Sequence, residues 1–126
     1  IAAGFKAEMV YQFFEENYRD LNVKIVYSGD VDIAERIKSC SPDIQGDFFL
    51  LYGDTLANVK LDLLQEFHLT HSSKATITLW PFKSPYGLFE LDHNGKVTNY
   101  REKPTLKELI NIGFFYYEKA FYQIYY

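Results

Sequence analysis

The stretch Phe48-Phe49-Leu50-Leu51-Tyr52-Gly53-Asp54-Thr55 is an unbroken apolar run that stops at a glycine and an acid. A strand with one wet face alternates apolar and polar residues. A continuous run this short suits a strand covered on both faces of a parallel sheet. A strand is therefore expected over Asp47 to Tyr52, with Gly53-Asp54-Thr55 just past its carboxyl end. Open α/β sheets bind ligands outside the carboxyl ends of their strands. A carboxylate placed there suits a hard cation such as Mg²⁺, and the glycine before it would let a phosphate approach. A plain turn or cap at Asp54 fits the same residues, so position alone leaves both open.

Outward from this strand the pattern alternates. Upstream, Ile1-Ala2-Ala3-Gly4 reads as a strand end and glycine turn. Lys6 to Asp20 follows as a helix with Met9, Val10, Phe13, Phe14 and Tyr18 at helical spacing. Val23 to Tyr27 is β-branched and alternating, hence a strand. After the turn Ser28-Gly29-Asp30, Asp32 is placed to cap a helix through Lys38, which Ser41-Pro42-Asp43 stops. Downstream, Leu61 to Ser72 is expected as a helix with Leu61, Leu64, Phe67 and His68 inward, and Ala75 to Trp80 as the next strand. Strand and helix in turn give an α/β fold with a parallel sheet joined by right-handed crossovers.

The pattern changes after Pro81. Leu88 to Asp92 and Val97 to Lys103 are strands around Asn94-Gly95, a pair that supplies the positive φ angles of a tight hairpin turn. Pro104 ends the second. Ile110 to Tyr117 is a strand with an aromatic end, and Glu118 to Tyr126 begins a helix. Because strand residues alternate in direction, Glu102 and Lys103 can share a face only if the strand breaks there, and Pro104 supports a break.

Composition narrows the function classes. The chain has 126 residues, 48% hydrophobic and 24% charged, which excludes a disordered chain and fits one domain. A formal charge of −4 and few basic clusters argue against a nucleic-acid partner. No apolar run approaches the roughly 20 residues of a membrane span, so no membrane partner is expected. The single cysteine, Cys40, excludes an internal disulfide and a thiolate metal cage and favours a reducing, cytoplasmic setting. Asp30-Val31-Asp32 has metal-compatible spacing, yet a turn residue plus a helix cap explains it better. His68 and His71 lie three apart on a helix without a third ligand, the pattern of satisfied structural histidines. The aromatics from Phe114 to Tyr117, with Phe121 and Tyr122, read as core or as contact within a homo-oligomer rather than as a stacking platform.

Taken in order, four motifs resemble one family, the sugar-1-phosphate nucleotidyltransferases. They are Ile1-Ala2-Ala3-Gly4-Phe5-Lys6-Ala7-Glu8-Met9, the Phe48 to Thr55 run, Tyr86-Gly87 with the hairpin and Glu102-Lys103-Pro104, and Ile110-Asn111-Ile112-Gly113-Phe114-Phe115. The forms Tyr52-Gly53-Asp54 and Ile110-Asn111 resemble the glucose-1-phosphate cytidylyltransferase branch. The resemblance implies a Rossmann-like α/β fold, a mixed and mostly parallel sheet with flanking helices and a β-hairpin. It implies nucleotidyl transfer from a nucleoside triphosphate to a sugar 1-phosphate, with Mg²⁺ as cofactor. By the same resemblance Asp54 would bind the metal and Lys103 would be the catalytic group holding the sugar phosphate. Glu102 would bind sugar hydroxyls, Gly87 beside Tyr86 would let the sugar approach the backbone, and Asn111 and Gly113 would line the sugar pocket.

The family's glycine-rich loop with its basic residues belongs before Ile1, and its second metal Asp after Tyr126. The chain also opens on Ile1 rather than Met. Residues 1–126 are therefore expected to be one partial domain, truncated at both ends and inactive alone. Where relatives set small residues against the base, this chain has Asp32-Ile33-Ala34-Glu35-Arg36, which leaves the base open. Two other readings stand beside this one. One is a nucleotide-sugar-dependent glycosyltransferase using Asp30-Val31-Asp32. The other is a non-catalytic regulatory subunit of the same fold.

Overall fold

The structure is a computed structural model and describes residues 1–120. The described chain divides into two compact units, one of residues Ile1–Phe48 with the stretch from Tyr117, the other of Phe49–Tyr116.

The first unit is built around a short parallel ladder. Strand β1 (Ala2–Ala3) leads through Gly4 into helix α1 (Ala7–Asn17), and β2 (Val26–Tyr27) returns to pair with β1 in parallel, Ala2 opposite Val26 and Ala3 opposite Tyr27. The expected strand from Val23 is thus shortened, because β1 offers only a two-residue ladder. Among the described residues β1 pairs with β2 alone, so its other edge is open. Helix α1 buries Ala7 and half-buries Val10 and Phe14. Met9, Phe13 and Tyr18, expected inward, are exposed, and Phe13, Phe14 and Tyr18 instead form their own ring cluster. The apolar arc of the sequence is wider than the face the ladder can cover.

Helix α2 (Ile33–Cys40) packs on β1 and β2. Its cap is the one expected: the Asp32 carboxylate accepts from the Glu35 N–H at 2.9 Å. Ser41–Asp43 ends it in a single 3₁₀ turn with Pro42. Arg36 reaches back so that its guanidinium donates to the carbonyls of Gly29 and Val31. A Cβ at Gly4 would lie 2.6 Å from the Gly29 oxygen and 2.8 Å from Arg36 Nη2, so only glycine lets the chain leave β1 here.

The second unit carries a three-stranded sheet in the order β3–β7–β4, formed by β3 (Phe48–Leu51), β4 (Ala75–Lys83) and β7 (Thr105–Tyr117), and a separate antiparallel hairpin of β5 (Leu88–Leu91) and β6 (Val97–Arg101). Strand β3 therefore lies at the edge of the described sheet, half-buried rather than covered on both faces. Among the described residues, the buried large apolar side chains of this unit are Phe114, Phe115 and Tyr116 of the central strand β7. They meet β3 through Phe49 on Tyr116, ring centroids 4.8 Å apart, and Tyr52 on Phe115 at 5.4 Å.

Helix α3 (Leu61–Thr70) packs on β4 and turns Leu61, Leu64 and His68 inward; Phe67, expected with them, is exposed and stacks on the His71 ring. His68 is buried, its Nδ1 2.9 Å from Thr76 Oγ1 and its ring against Tyr116. Strand β4 does not stop at Trp80. It runs through Pro81 to Lys83, which an edge strand tolerates because the missing N–H can face outward. Strand β7 likewise begins at Thr105, well before the expected Ile110. The expected helix from Glu118 falls mostly outside the described residues, as do Phe121 and Tyr122. No helix among the described residues is long and apolar enough to cross a membrane.

Candidate functional site

Every site residue expected from the sequence lies in the second unit, and the structure gathers them into two groups. The first surrounds the end of the hairpin. Strand β6 stops at Arg101, and Lys103 takes a left-handed backbone with φ 41°. This is the break that Glu102 and Lys103 needed to escape alternation. Pro104 then accepts from the Ser84 N–H at 2.9 Å, which ties the break to the end of β4. Ser84 is buried, and its hydroxyl both donates to the Tyr86 carbonyl at 2.8 Å and accepts from the Tyr86 N–H at 3.1 Å. One serine thus joins Tyr86-Gly87 to Lys103-Pro104.

Tyr100 makes a second link. Its hydroxyl donates to the Glu102 carboxylate, and the same end of its ring fills the space beside Gly87, where a Cβ would come within 2.6 Å of Oη and Cε2. Glu102 and Lys103 are both exposed, so consecutive residues offer a carboxylate and an ammonium to a ligand.

The second group sits where β3 ends. The Tyr52 N–H donates to the Gly113 carbonyl at 2.9 Å. Gly113 is itself left-handed, φ 77°, in the middle of β7, and a Cβ there would strike the Tyr52 ring at 2.7 Å. Asn111 fixes this kink, its Oδ1 accepting from the Gly113 N–H at 2.8 Å. That bond occupies the amide oxygen and leaves the Asn111 Nδ2 donors to face other partners. Asp54, two residues beyond Tyr52, is exposed, with the Thr55 hydroxyl 3.4 Å from its Oδ1. A Cβ at Gly53 would meet nothing within 4 Å, so the chain just before Asp54 stands in open space.

Among the described residues no group of three or more His, Cys, Asp and Glu is arranged to hold a metal. Asp32 Oδ1 caps its helix, which is the turn-and-cap reading of Asp30-Val31-Asp32. His68 and His71 have separate partners, Thr76 for the first, and the Phe67 carbonyl and Thr70 hydroxyl for the second.

Ser84, Tyr100 and Tyr52 did not announce themselves in the sequence. The one available signal was the pairing of glycines with tyrosines: Gly87 and Gly113 each need a neighbour that only a missing Cβ admits, and a tyrosine supplies it in both cases.

Residues 8–126 match the family model described as nucleotidyl transferase. The chain is similar to the glucose-1-phosphate cytidylyltransferase of Salmonella typhimurium strain LT2, with 32% identity over 98 residues, covering 75% of this chain and 38% of that protein. It is similar to the mannose-1-phosphate guanylyltransferase catalytic subunit beta of Drosophila melanogaster, with 25% identity over 133 residues, covering 95% of this chain and 35% of that protein. The chain thus spans little more than a third of the length of either relative. The crystal structure of HddC from Yersinia pseudotuberculosis superposes with a TM-score of 0.65 at 21% identity, over 97% of this chain and 56% of that one. That likeness shows a shared α/β fold.

Proposed function

The chain belongs to the nucleotidyl transferase family, and from that premise we propose that it forms part of an enzyme joining a nucleoside triphosphate to a sugar 1-phosphate. An oxygen of the sugar phosphate attacks the α-phosphorus. The bond from that phosphorus to the bridging oxygen breaks, and pyrophosphate leaves with its electron pair. The observation that carries this reading is the break at Lys103. It leaves a carboxylate and an ammonium on consecutive, exposed residues, in a frame pinned by Ser84 and Tyr100. A sugar phosphate has one anionic end and a ring of hydroxyl donors, and this pair matches both.

In this reading Lys103 holds the phosphate and keeps its attacking oxygen in line, which is most of what such a reaction needs from a protein. Glu102 accepts from the sugar hydroxyls. Asn111, its oxygen taken by Gly113, offers Nδ2 to the sugar. Tyr86 and Gly87 form the adjoining wall. Asp54 fits Mg²⁺ as one ligand of a shared site, because it is exposed and the glycine before it stands in open space. Mg²⁺ is ordinarily bound by one or two carboxylates together with substrate phosphates. Bound there, it would neutralise charge on the triphosphate.

The test is pyrophosphate release by the full-length protein with each of the four common ribonucleoside triphosphates against glucose 1-phosphate and mannose 1-phosphate. Release matched by nucleotide-sugar formation is expected for at least one pair. Sugar transfer from a preformed nucleotide-sugar, without pyrophosphate release, would overturn the reading.

A further inference from the structure

The Tyr100 hydroxyl reaches the Glu102 carboxylate just past the end of β6, and cross-strand register puts Phe89 opposite Tyr100, rings 4.8 Å apart. Glu102 lies past the last paired residue, Arg101, and is exposed. Nothing in the ladder would hold its carboxylate in one rotamer, and ordering a glutamate costs side-chain entropy. Tyr100 supplies the missing restraint. Its hydroxyl donates to Oε2 of Glu102, and Phe89 supports its ring from the neighbouring strand. The absent side chain at Gly87 makes room for the ring's hydroxyl end.

We propose that Tyr100 is a positioning residue for sugar recognition, holding one oxygen of Glu102 so that the other is presented to sugar hydroxyls, and that Gly87 serves this arrangement by leaving room for the phenol. This rests on the reading of Glu102 as the sugar-hydroxyl acceptor. Tyr100 itself is 49% exposed, so it is no core residue whose loss would open a cavity. Oε2 keeps further acceptor capacity when the phenol donates to it, so the tyrosine orients the carboxylate without consuming it. Gly87→Ala would reach the same contact from the other side. The atoms it meets are the far end of a side chain that can swing away, and swinging away takes the hydroxyl off Glu102.

The experiment uses the full-length protein, with glucose 1-phosphate and mannose 1-phosphate as probes, read by pyrophosphate release and by titration calorimetry. Tyr100→Phe keeps the ring and removes the donor. It should raise KM and Kd for the sugar phosphate roughly three- to tenfold, the worth of one hydrogen bond. kcat, the KM for the triphosphate and the melting temperature should stay within error. In a Glu102→Gln background the same change should add less than about twofold, because the two residues act as a unit. Gly87→Ala, which pushes the phenol aside, should reproduce the sugar-phosphate defect.

A working wild type whose Tyr100→Phe variant binds sugar phosphate normally overturns the inference alone. So does an equal loss for both substrates with a lowered melting temperature, or effects of Tyr100→Phe and Glu102→Gln that multiply. A wild type that binds neither sugar phosphate overturns the inference together with the reading of Glu102 on which it rests.

Discussion

Lys103 shows how one residue can set local strain against function. Its φ of 41° lies in the left-handed region, which costs a non-glycine residue about 1–2 kcal/mol, and it precedes a proline, which narrows its choices further. Lys103→Gly should therefore raise stability by about 1 kcal/mol in chemical denaturation while losing sugar-phosphate use. A variant that lost activity with no gain in stability would show that the left-handed turn is unstrained. Lys103→Ala removes the ammonium. A charge-assisted contact to a phosphate is typically worth about 2–3 kcal/mol, so sugar-phosphate affinity should fall roughly a hundredfold, with a much smaller change for the triphosphate. Equal weakening of both ligands in calorimetry would take the phosphate role away from Lys103. Asp54 offers the contrasting case. It is exposed, with the neighbouring Thr55 hydroxyl 3.4 Å from its Oδ1, so Asp54→Asn should leave the melting temperature unchanged while turnover at ordinary Mg²⁺ collapses. Near-normal turnover by that variant would refute its metal role.

At the scale of elements, what could be read in advance was whatever local chemistry alone decides. The Asp32 cap and the break at Lys103-Pro104 depend on residues next to one another, and each stands in the structure as expected. What depended on a partner strand did not show. Thr105 to Leu109 have no strand pattern of their own and belong to a strand that pairs with β4, tied at its start by the Ser84 N–H to Pro104 bond. Pro81 looked like a stop, yet an edge position makes it harmless. Tyr52 meets Gly113, the Ser84 N–H meets Pro104 and the Tyr100 ring lies beside Gly87, all contacts across the fold that no spacing rule could pick out. The hairpin joins both lessons. Asn94-Gly95 marks the turn, but only Gly95 has positive φ, at 80°, and the turn is longer than a two-residue loop. Asp92 organises it, its carboxylate accepting from the N–H groups of Asn94 and Lys96, both at 2.9 Å. Asp92→Ala should therefore cost about 1–2 kcal/mol, and Gly95→Ala about 1 kcal/mol. Asn94→Ala should be nearly neutral. Denaturation of the three variants decides between this turn and one needing positive φ at Asn94, in which Asn94→Ala would rank among the damaging changes.

For the molecule as a whole, the distribution of charge says how a metal would arrive. The sequence has 17 acidic and 13 basic residues, but the excess is spread out, and among the described residues no acidic cluster is arranged as a cage. Asp54 offers one exposed carboxylate. Mg²⁺ holds six ligands in near-octahedral order and gives up water reluctantly, so one carboxylate, or two with the second that the family resemblance implies, leaves most positions to other oxygens. A triphosphate supplies those oxygens, already carrying the metal. Metal and nucleotide should then bind the full-length protein together, neither site being complete without the other. With Mn²⁺ as a paramagnetic probe, the nucleotide-free protein should bind more weakly than about 1 mM. Adding the triphosphate that supports turnover should bring the ion onto the protein at far lower concentration. Asp54→Asn should loosen that ternary complex about tenfold or more, the order expected for losing a carboxylate that ligates the metal. Removing the metal by chelation should weaken triphosphate binding by the same factor that the triphosphate tightens metal binding, as linkage demands. Micromolar Mn²⁺ binding without nucleotide, unchanged by Asp54→Asn, would place a preformed metal site elsewhere in the protein and leave Asp54 a turn residue.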